Sequence, residues 1–175
     1  MFYELLKTVT GLLDQKGIQY MVSGSLAFNV YCIPRMSMDI DFVIELNQAN
    51  VADFLGIFKS GYYVDEESVR QEIIRKGMFN VIDHRSGLKM DFIVRKDTEY
   101  RRLEFSRKIQ KLLEDVPVWI VSPEDLIISK IEWIQQLQSD KQSRDISMLS
   151  TIPGINKDYI LFWCNKLNLK TFGLF

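Results

Sequence analysis

Apolar residues recur at helical spacing from the start of the chain. Phe2, Leu5, Leu6, Val9, Leu12 and Leu13 form one stripe and Gly17 stops it, which predicts an amphipathic first helix. The apolar run over 18–22 reads as a short buried strand. Gly24 and Ser25 follow, and SLAFNVY supplies a second helix before Pro34 forces a loop. The pattern then changes period: DIDFVIE alternates and predicts a strand. Val51, Phe54, Leu55 and Phe58 return to helical spacing and predict a helix running to Gly61. Over 62–76 the chain is charged, with the acids of DEESVRQEI where a helix dipole favours them, and it reads as partly helical.

GMFNVIDHRSGLKMDFIVRK predicts a hairpin turning at Arg85, Ser86 and Gly87. After a charged segment, KIQKL and VPVWIVS read as strands joined at Glu114 and Asp115, with helix left open for the first. SPEDLIISKIEWIQQLQ has the best-marked boundary in the chain: Ser122 as N-cap, Pro123 at the first helical position and Asp125 closing a capping box. KQSRDISMLS and NKDYILFWCNKL predict two more helices, the second after the break at Pro153 and Gly154. This order predicts an α/β (α+β) fold with a mixed central sheet flanked by helices. Residues 1–121 are expected to form the core and 122–175 a C-terminal helical cap packed on it.

At 175 residues and 47% hydrophobic content, the chain can bury a single core. A formal net charge of −1 excludes wholesale coating of nucleic acid, so any contact with a polyanion must be local. The stretch over 95–111, with seven Lys or Arg against three acids, offers either such a contact or, more commonly, a solvated basic face. Cys32 and Cys164 lie far apart inside apolar runs and read as buried free thiols of a reducing compartment, so a cytoplasmic location is expected. The first helix has Glu4 and Asp14 within it and resembles neither a signal peptide nor an anchor, and no apolar run spans a bilayer.

Two aspartates head the greasy strand DIDFVIE. Residues two apart share a face, so Asp39 and Asp41 project together while Ile40, Phe42 and Ile44 face the core. Asp91 is framed likewise by Met90, Phe92 and Val94 on the hairpin strand. If the two strands are neighbours, three carboxylates meet, and such a cluster repels itself unless divalent cations hold it. Alone, an Asp-x-Asp is more often a strand end or a solvated turn. The upstream Gly24 and Ser25 add a strand-to-helix turn whose N–H groups suit a phosphate, with a Pro34, Arg35 loop to supply a cation.

On a helical wheel, Leu126, Trp133 and Leu137 cluster with Ile127 and Ile134 at their shoulder, and Lys130 falls inside that stripe. It needs an anion: a nucleotide phosphate, a site carboxylate, or Asp145, which is equally misplaced beside Met148 and Leu149. An ion pair between two helices and a functional role are both open. His84, the one histidine, reads as an exposed residue of the hairpin turn.

Gly24-Ser25, Pro34-Arg35, Asp39-x-Asp41 and Asp91, followed by SPEDLIISKIEW and SRDISML, resemble the nucleotidyltransferase (DNA polymerase β-like) superfamily, near its small AbiEii-like members. The resemblance implies a sheet of about five strands, with Mg²⁺ or Mn²⁺ on Asp39, Asp41 and Asp91. It implies an NTP held by Gly24, Ser25, Arg35, Ser37, Lys130 and Asp145, with Lys130 also counted among the catalytic residues. The implied activity is transfer of a nucleoside monophosphate to an acceptor such as RNA, a protein or a small molecule. A toxin-like role, an antitoxin partner or a homodimer comes with it. The run Gln142-Ser143-Arg144-Asp145 departs from the group's basic residue, variable position, Lys-Asp pattern, and Met148 stands where a further acid would fall. The alternative is a nucleotide-binding or partner-binding member without turnover. A magnesium-dependent nuclease is a weaker rival, because the Gly-Ser turn favours a triphosphate.

Overall fold

The computed structural model describes residues 1–37, 39–136 and 139–174. Its strands are β1 (Tyr20–Val22), β2 (Asp39–Ile44), β3 (Tyr62–Tyr63), β4 (Met78–Asp83), β5 (Lys89–Val94), β6 (Ile109–Leu113) and β7 (Val116–Ile120). The helices are α1 (Phe2–Gln15), α2 (Gly24–Tyr31), α3 (Val51–Ile57), α4 (Glu66–Arg75), α5 (Glu99–Ser106), α6 (Pro123–Gln136), α7 (Asp140–Leu149) and α8 (Lys157–Lys166). The strands form one mixed sheet in the order β3-β4-β5-β2-β1-β7-β6. The pairs β2–β5 and β1–β7 are parallel and the rest antiparallel.

The alternating strands bury Ile40, Phe42, Ile44, Met90, Phe92 and Val94 completely or nearly so. Phe42 and Phe92 stack with centroids 5.0 Å apart and fix β2 against β5 from the core side. No described helix is long and apolar enough to cross a membrane. Cys164 is buried and Cys32 half-buried, both as free thiols.

Among the described residues the sheet has seven strands rather than about five, and two elements escaped the sequence pattern. β3 pairs only Tyr62 with Asp83 and Tyr63 with Ile82, too short a segment to show a period. α5 lies in the stretch that reads as a basic face. Its buried side is Tyr100, Glu104 and Phe105, so a carboxylate interrupts the apolar stripe. Glu104 is accommodated because Arg101 Nη1 and Ser129 Oγ each donate to it at 2.7 Å, and Arg101 also pairs with Glu132. The same accounting empties much of the basic run over 95–111. Arg95 pairs with Glu45, Arg102 with Asp97, Arg107 with Asp125 and Glu124, and Lys108 donates to Gln19.

α6 follows the wheel at Leu126, Ile127, Lys130 and Ile134, all buried, and also buries Ile128 and Ile131, but departs from it at Trp133. Trp133 is 55% exposed, and Leu137 lies outside the described residues. The contacts of α6 with α2, α7 and α8 widen the buried arc until it takes in Lys130.

The start of α6 is a buried polar knot. Asp125 N–H donates to Ser122 Oγ, as an N-cap requires. The Asp125 carboxylate closes the box differently from the predicted reciprocal backbone bond: it accepts from Ser122 Oγ at 2.6 Å, Tyr159 OH at 2.7 Å, Arg107 Nε at 2.9 Å and Tyr100 OH at 3.2 Å. Four donors on a fully buried carboxylate tie α5 and α8 to the head of α6. Asp125→Asn turns one acceptor into a donor facing donors and is expected to cost about 2 kcal/mol, read from urea unfolding. An unchanged urea midpoint would show that the knot adds nothing to stability. In α8, Tyr159 and the buried Trp163 pack onto this knot, while Phe162 stays exposed.

Candidate active site

Parallel pairing sets Asp41 opposite Asp91 and Asp39 opposite Lys89. Because their neighbours point into the core, these four side chains share the other face of the sheet as a patch of three acids and one lysine. Lys89 Nζ donates to Asp91 Oδ2 at 2.8 Å. Among the described residues, Asp91 Oδ1 is buried and finds no hydrogen-bond partner. Ser37 Oγ donates to the Asp39 carbonyl at 3.2 Å and to its Oδ1 at 3.1 Å, so this hydroxyl supports Asp39.

β1 delivers the chain to the patch from the other side. Ser23 N–H donates to the Asp41 carbonyl at 2.9 Å, and α2 then begins at Gly24 with φ +59°. A β-carbon on Gly24 would lie 1.8 Å from Asp41 Oδ2 and 2.5 Å from its Cγ, so only glycine fits here. The first turn of α2 therefore rests on the Asp41 carboxylate, whose charged form the neighbouring Ser25 N–H favours.

Burial, followed by repulsion from Asp39 and Asp91, pushes the Asp41 carboxyl up from 3.8 to about 6, against the opposing pull of the Ser25 N–H and Lys130. Folding thus favours the protonated form. For the metal-free protein, the stability held by this group is full below 3.8 and is lost as pH rises through about 6. Asp41→Asn removes the charge and keeps an acceptor for Ser25. In EDTA at pH 7.5 it is expected to be more stable than wild type by about 1–3 kcal/mol, with the gap closing at pH 4. Melting curves at the two pH values check this; a variant less stable at pH 7.5 would contradict it.

The third part of the site is a cluster of cations around Asp145. Arg35 grips that carboxylate with Nε at 3.2 Å and Nη2 at 2.7 Å, and Lys130 Nζ donates to the same Oδ2 at 2.8 Å. Arg35 Nη2 also donates to Ser25 Oγ at 3.1 Å, which links the cluster to the Gly24 turn. Both cations lie over the buried Phe28 ring, at 5.1 Å for Arg35 and 5.8 Å for Lys130. Burial alone would raise the Asp145 carboxyl, but hydrogen bonds and charge from Arg35 and Lys130 outweigh it and hold it below its ordinary value. Burial lowers Lys130 despite the bond to Asp145. Arg35 Nη1 is buried and has no partner among the described residues.

The nine residues singled out in the sequence thus converge on one region: Asp39, Asp41 and Asp91 on the sheet, Gly24 and Ser25 at the head of α2, Ser37 behind Asp39, and Arg35, Lys130 and Asp145 beside them. Lys130 forms an ion pair that joins α6 and α7 and extends through Arg35 to the Gly24 turn. His84 is exposed in the β4–β5 turn, outside this region. Gln142 accepts from Lys130 at 2.9 Å, whereas Arg144 is exposed and bonds Asp140 O, so the basic position of that run points away from the site.

Three contributors went unnoticed in the sequence. Lys89 stands two residues before Asp91, and the alternation used for the acids would have found it. Asn29 is a lone amide on an otherwise apolar helix. It holds the Arg35 backbone at both ends, with Nδ2 donating to Arg35 O at 2.7 Å and Oδ1 accepting Arg35 N–H at 3.0 Å. Gln142 carries no local signal, because its role depends on where α7 docks.

Among the described residues, no three carboxylate, imidazole or thiol groups are drawn together closely enough to cage an ion. The donor set nevertheless fits a hard divalent cation: oxygen ligands on one face, one of them buried and unpartnered, and one destabilised by its acidic neighbours.

The family model described as "Nucleotidyl transferase AbiEii toxin, Type IV TA system" matches residues 13–159. Solved structures share the fold at low identity. ANT(2'')-Ia in complex with adenylyl-2''-tobramycin is 12% identical with a TM-score of 0.65, the match covering 94% of this chain and 95% of that one. An antigenic nucleotidyltransferase-like protein from Paracoccidioides brasiliensis is 16% identical with a TM-score of 0.58, over 94% and 85% of the two chains. The lincosamide antibiotic adenylyltransferase LnuA, lincomycin-bound, is 11% identical with a TM-score of 0.54, over 82% and 93%. No curated protein sequence matches the chain.

Proposed function

We propose, from the premise that this chain belongs to the AbiEii nucleotidyl transferase family, that it transfers a nucleoside monophosphate from an NTP to an acceptor hydroxyl in a Mg²⁺- or Mn²⁺-dependent reaction. The observation that carries this reading is the acidic face of β2 and β5, with its unpartnered Asp91 oxygen, pressed against the glycine that opens α2. Asp39, Asp41 and Asp91 are the residues that would hold the metal. A divalent ion bound there would neutralise the triphosphate and the charge that grows on the leaving pyrophosphate.

The chain's own groups supply the rest. The α2 N-terminus at Gly24 and Ser25 presents N–H donors and a positive dipole end to the triphosphate. Arg35 reaches the same region with an Nη1 that has hydrogen-bonding capacity to spare. Asp145 orients Arg35 and Lys130 where transition-state charge develops, since such transfers depend on positioning and electrostatics. The acceptor oxygen attacks the α-phosphorus and the bond to the β-phosphate breaks, while Asp91 either helps hold a second metal or takes the hydroxyl proton. The acceptor class stands open between RNA, a protein and a small molecule. The internal pairing of the 95–111 run argues against that segment as the polyanion face. The family's description as a toxin makes an antitoxin the expected partner.

Ligand-induced stabilisation tests the binding half of this reading. Each NTP with Mg²⁺ at about a hundred times its Kd should stabilise the wild type by about 2.7 kcal/mol. Asp39→Asn with Asp41→Asn should abolish the shift. If no NTP moves the melting temperature of the wild type, the reading fails.

A further inference from the structure

Lys89 is the one group on the acidic face that the reading above leaves without a task. We propose that Lys89 is a resident counter-cation that holds Asp91 in the metal-free protein and competes with the divalent ion for it, an inference that rests on the metal-binding reading. Three observations carry it. First, register places Lys89 opposite Asp39 and two residues before Asp91, so its ammonium lies on the same face as all three acids. Second, Nζ is bonded to Asp91 Oδ2 at 2.8 Å while Oδ1, on a carboxylate more than nine-tenths buried, has no partner. One oxygen is therefore occupied by protein charge and the other is presented bare. Third, the Lys89 side chain is 43% exposed, so its flexible stem can carry the ammonium into solvent without breaking a core contact.

The chemistry follows from charge counting at the face. Three carboxylates together destabilise the metal-free fold, and Lys89 offsets part of that repulsion. A divalent ion at Asp91 supplies the same compensation more strongly, and like charge then drives the ammonium away. Binding therefore exchanges Lys89 for the metal, which weakens apparent cation affinity. The pair keeps the acids apart and ordered until the ion arrives. Lys89 is thus a positioning residue for Asp91 and a regulator of cation affinity rather than a ligand.

Mn²⁺ titration of the intact protein without nucleotide tests this, read by electron paramagnetic resonance of the free ion. Lys89→Met should bind Mn²⁺ about fivefold more tightly than wild type, a change of about 1 kcal/mol, which suits a partly exposed ion pair. Lys89→Arg, which keeps the charge, should stay near the wild-type affinity. In EDTA, Lys89→Met should melt below wild type, and saturating Mn²⁺ should close that gap. Equal or weaker Mn²⁺ binding by Lys89→Met, or equal tightening in both variants, overturns the role of Lys89 while leaving the metal site intact. No Mn²⁺ binding by any of the three proteins overturns the metal-binding reading and this inference with it.

Discussion

Gly24→Ala is expected to reduce nucleotidyl transfer by about a hundredfold or more, the scale set by misplacing a catalytic group by an ångström. The reason is local and geometric. At φ +59° a β-carbon is strained whatever surrounds it, and here it would lie 1.8 Å from Asp41 Oδ2, 2.5 Å from Cγ and 3.0 Å from Cβ. Rotating the carboxylate away cannot relieve the contact with the Asp41 Cβ, so β2 and α2 must separate. That separation moves the Ser25 N–H away from Asp41 and the phosphate-facing turn off the acidic patch at once. The variant should remain folded, with Tm lowered by strain of about 1–2 kcal/mol or more. Gly11→Ala is the control. Gly11 lies in the body of α1 with open space around its α-carbon, so alanine there should raise stability by about 0.5–1 kcal/mol and leave transfer unchanged. Circular dichroism melts and initial rates of label transfer measure both, and a Gly24→Ala protein with wild-type turnover would contradict this view of the turn.

Asp145→Ala should be the most destabilising single change at the site. It strips the counter-charge from Lys130, whose side chain is only 5% exposed, and from Arg35. Removing one partner of a buried pair typically costs about 3–5 kcal/mol, because the remaining charge is left uncompensated. Asp145→Asn preserves the shape and keeps an acceptor, so it should cost less and expose the charge term by itself. The sign of its pH dependence is fixed by the lowered carboxyl of Asp145. The stabilisation is present above the ordinary carboxylate value and is lost as pH falls through the lowered folded one. The gap between wild type and Asp145→Asn should therefore be full at pH 7 and shrink in strong acid. Urea midpoints at a series of pH values measure it, and a gap that grew toward low pH would contradict the assigned ion cluster.

The acidic strand was legible because alternation is a local signal: Asp39, Asp41 and Asp91 could be placed on a face from their own neighbours. Lys130 and Asp145 were legible as charges that break an apolar pattern, which flags burial without saying what compensates it. That Arg35 shares Asp145 with Lys130 was not legible, since the loop at Pro34 is positioned by Asn29 across a helix end. Trp133 misled the wheel because aromatic character resembles burial, whereas the packing of α2, α7 and α8 around α6 buries Ile131 beside the expected Leu126, Ile127 and Ile134. α5 was hidden for the converse reason. Glu104 and Arg101 look like solvated charges in sequence, and only the partners they find on α6 make them part of the interior. Local periodicity thus carried the elements and their faces, while the neighbours that each face meets were set by the order of the sheet.

The measurement that bears most directly on the central claim is transfer of α-³²P label from each NTP, with Mg²⁺, to RNA, protein or small molecules of a cell extract, comparing wild type with Asp39→Asn plus Asp41→Asn. Label on an acceptor with wild type alone, together with release of pyrophosphate, is the predicted result. NTP binding by the wild type with no transfer to any acceptor fraction, and no difference from the double variant, would contradict it and leave a nucleotide-binding protein without turnover.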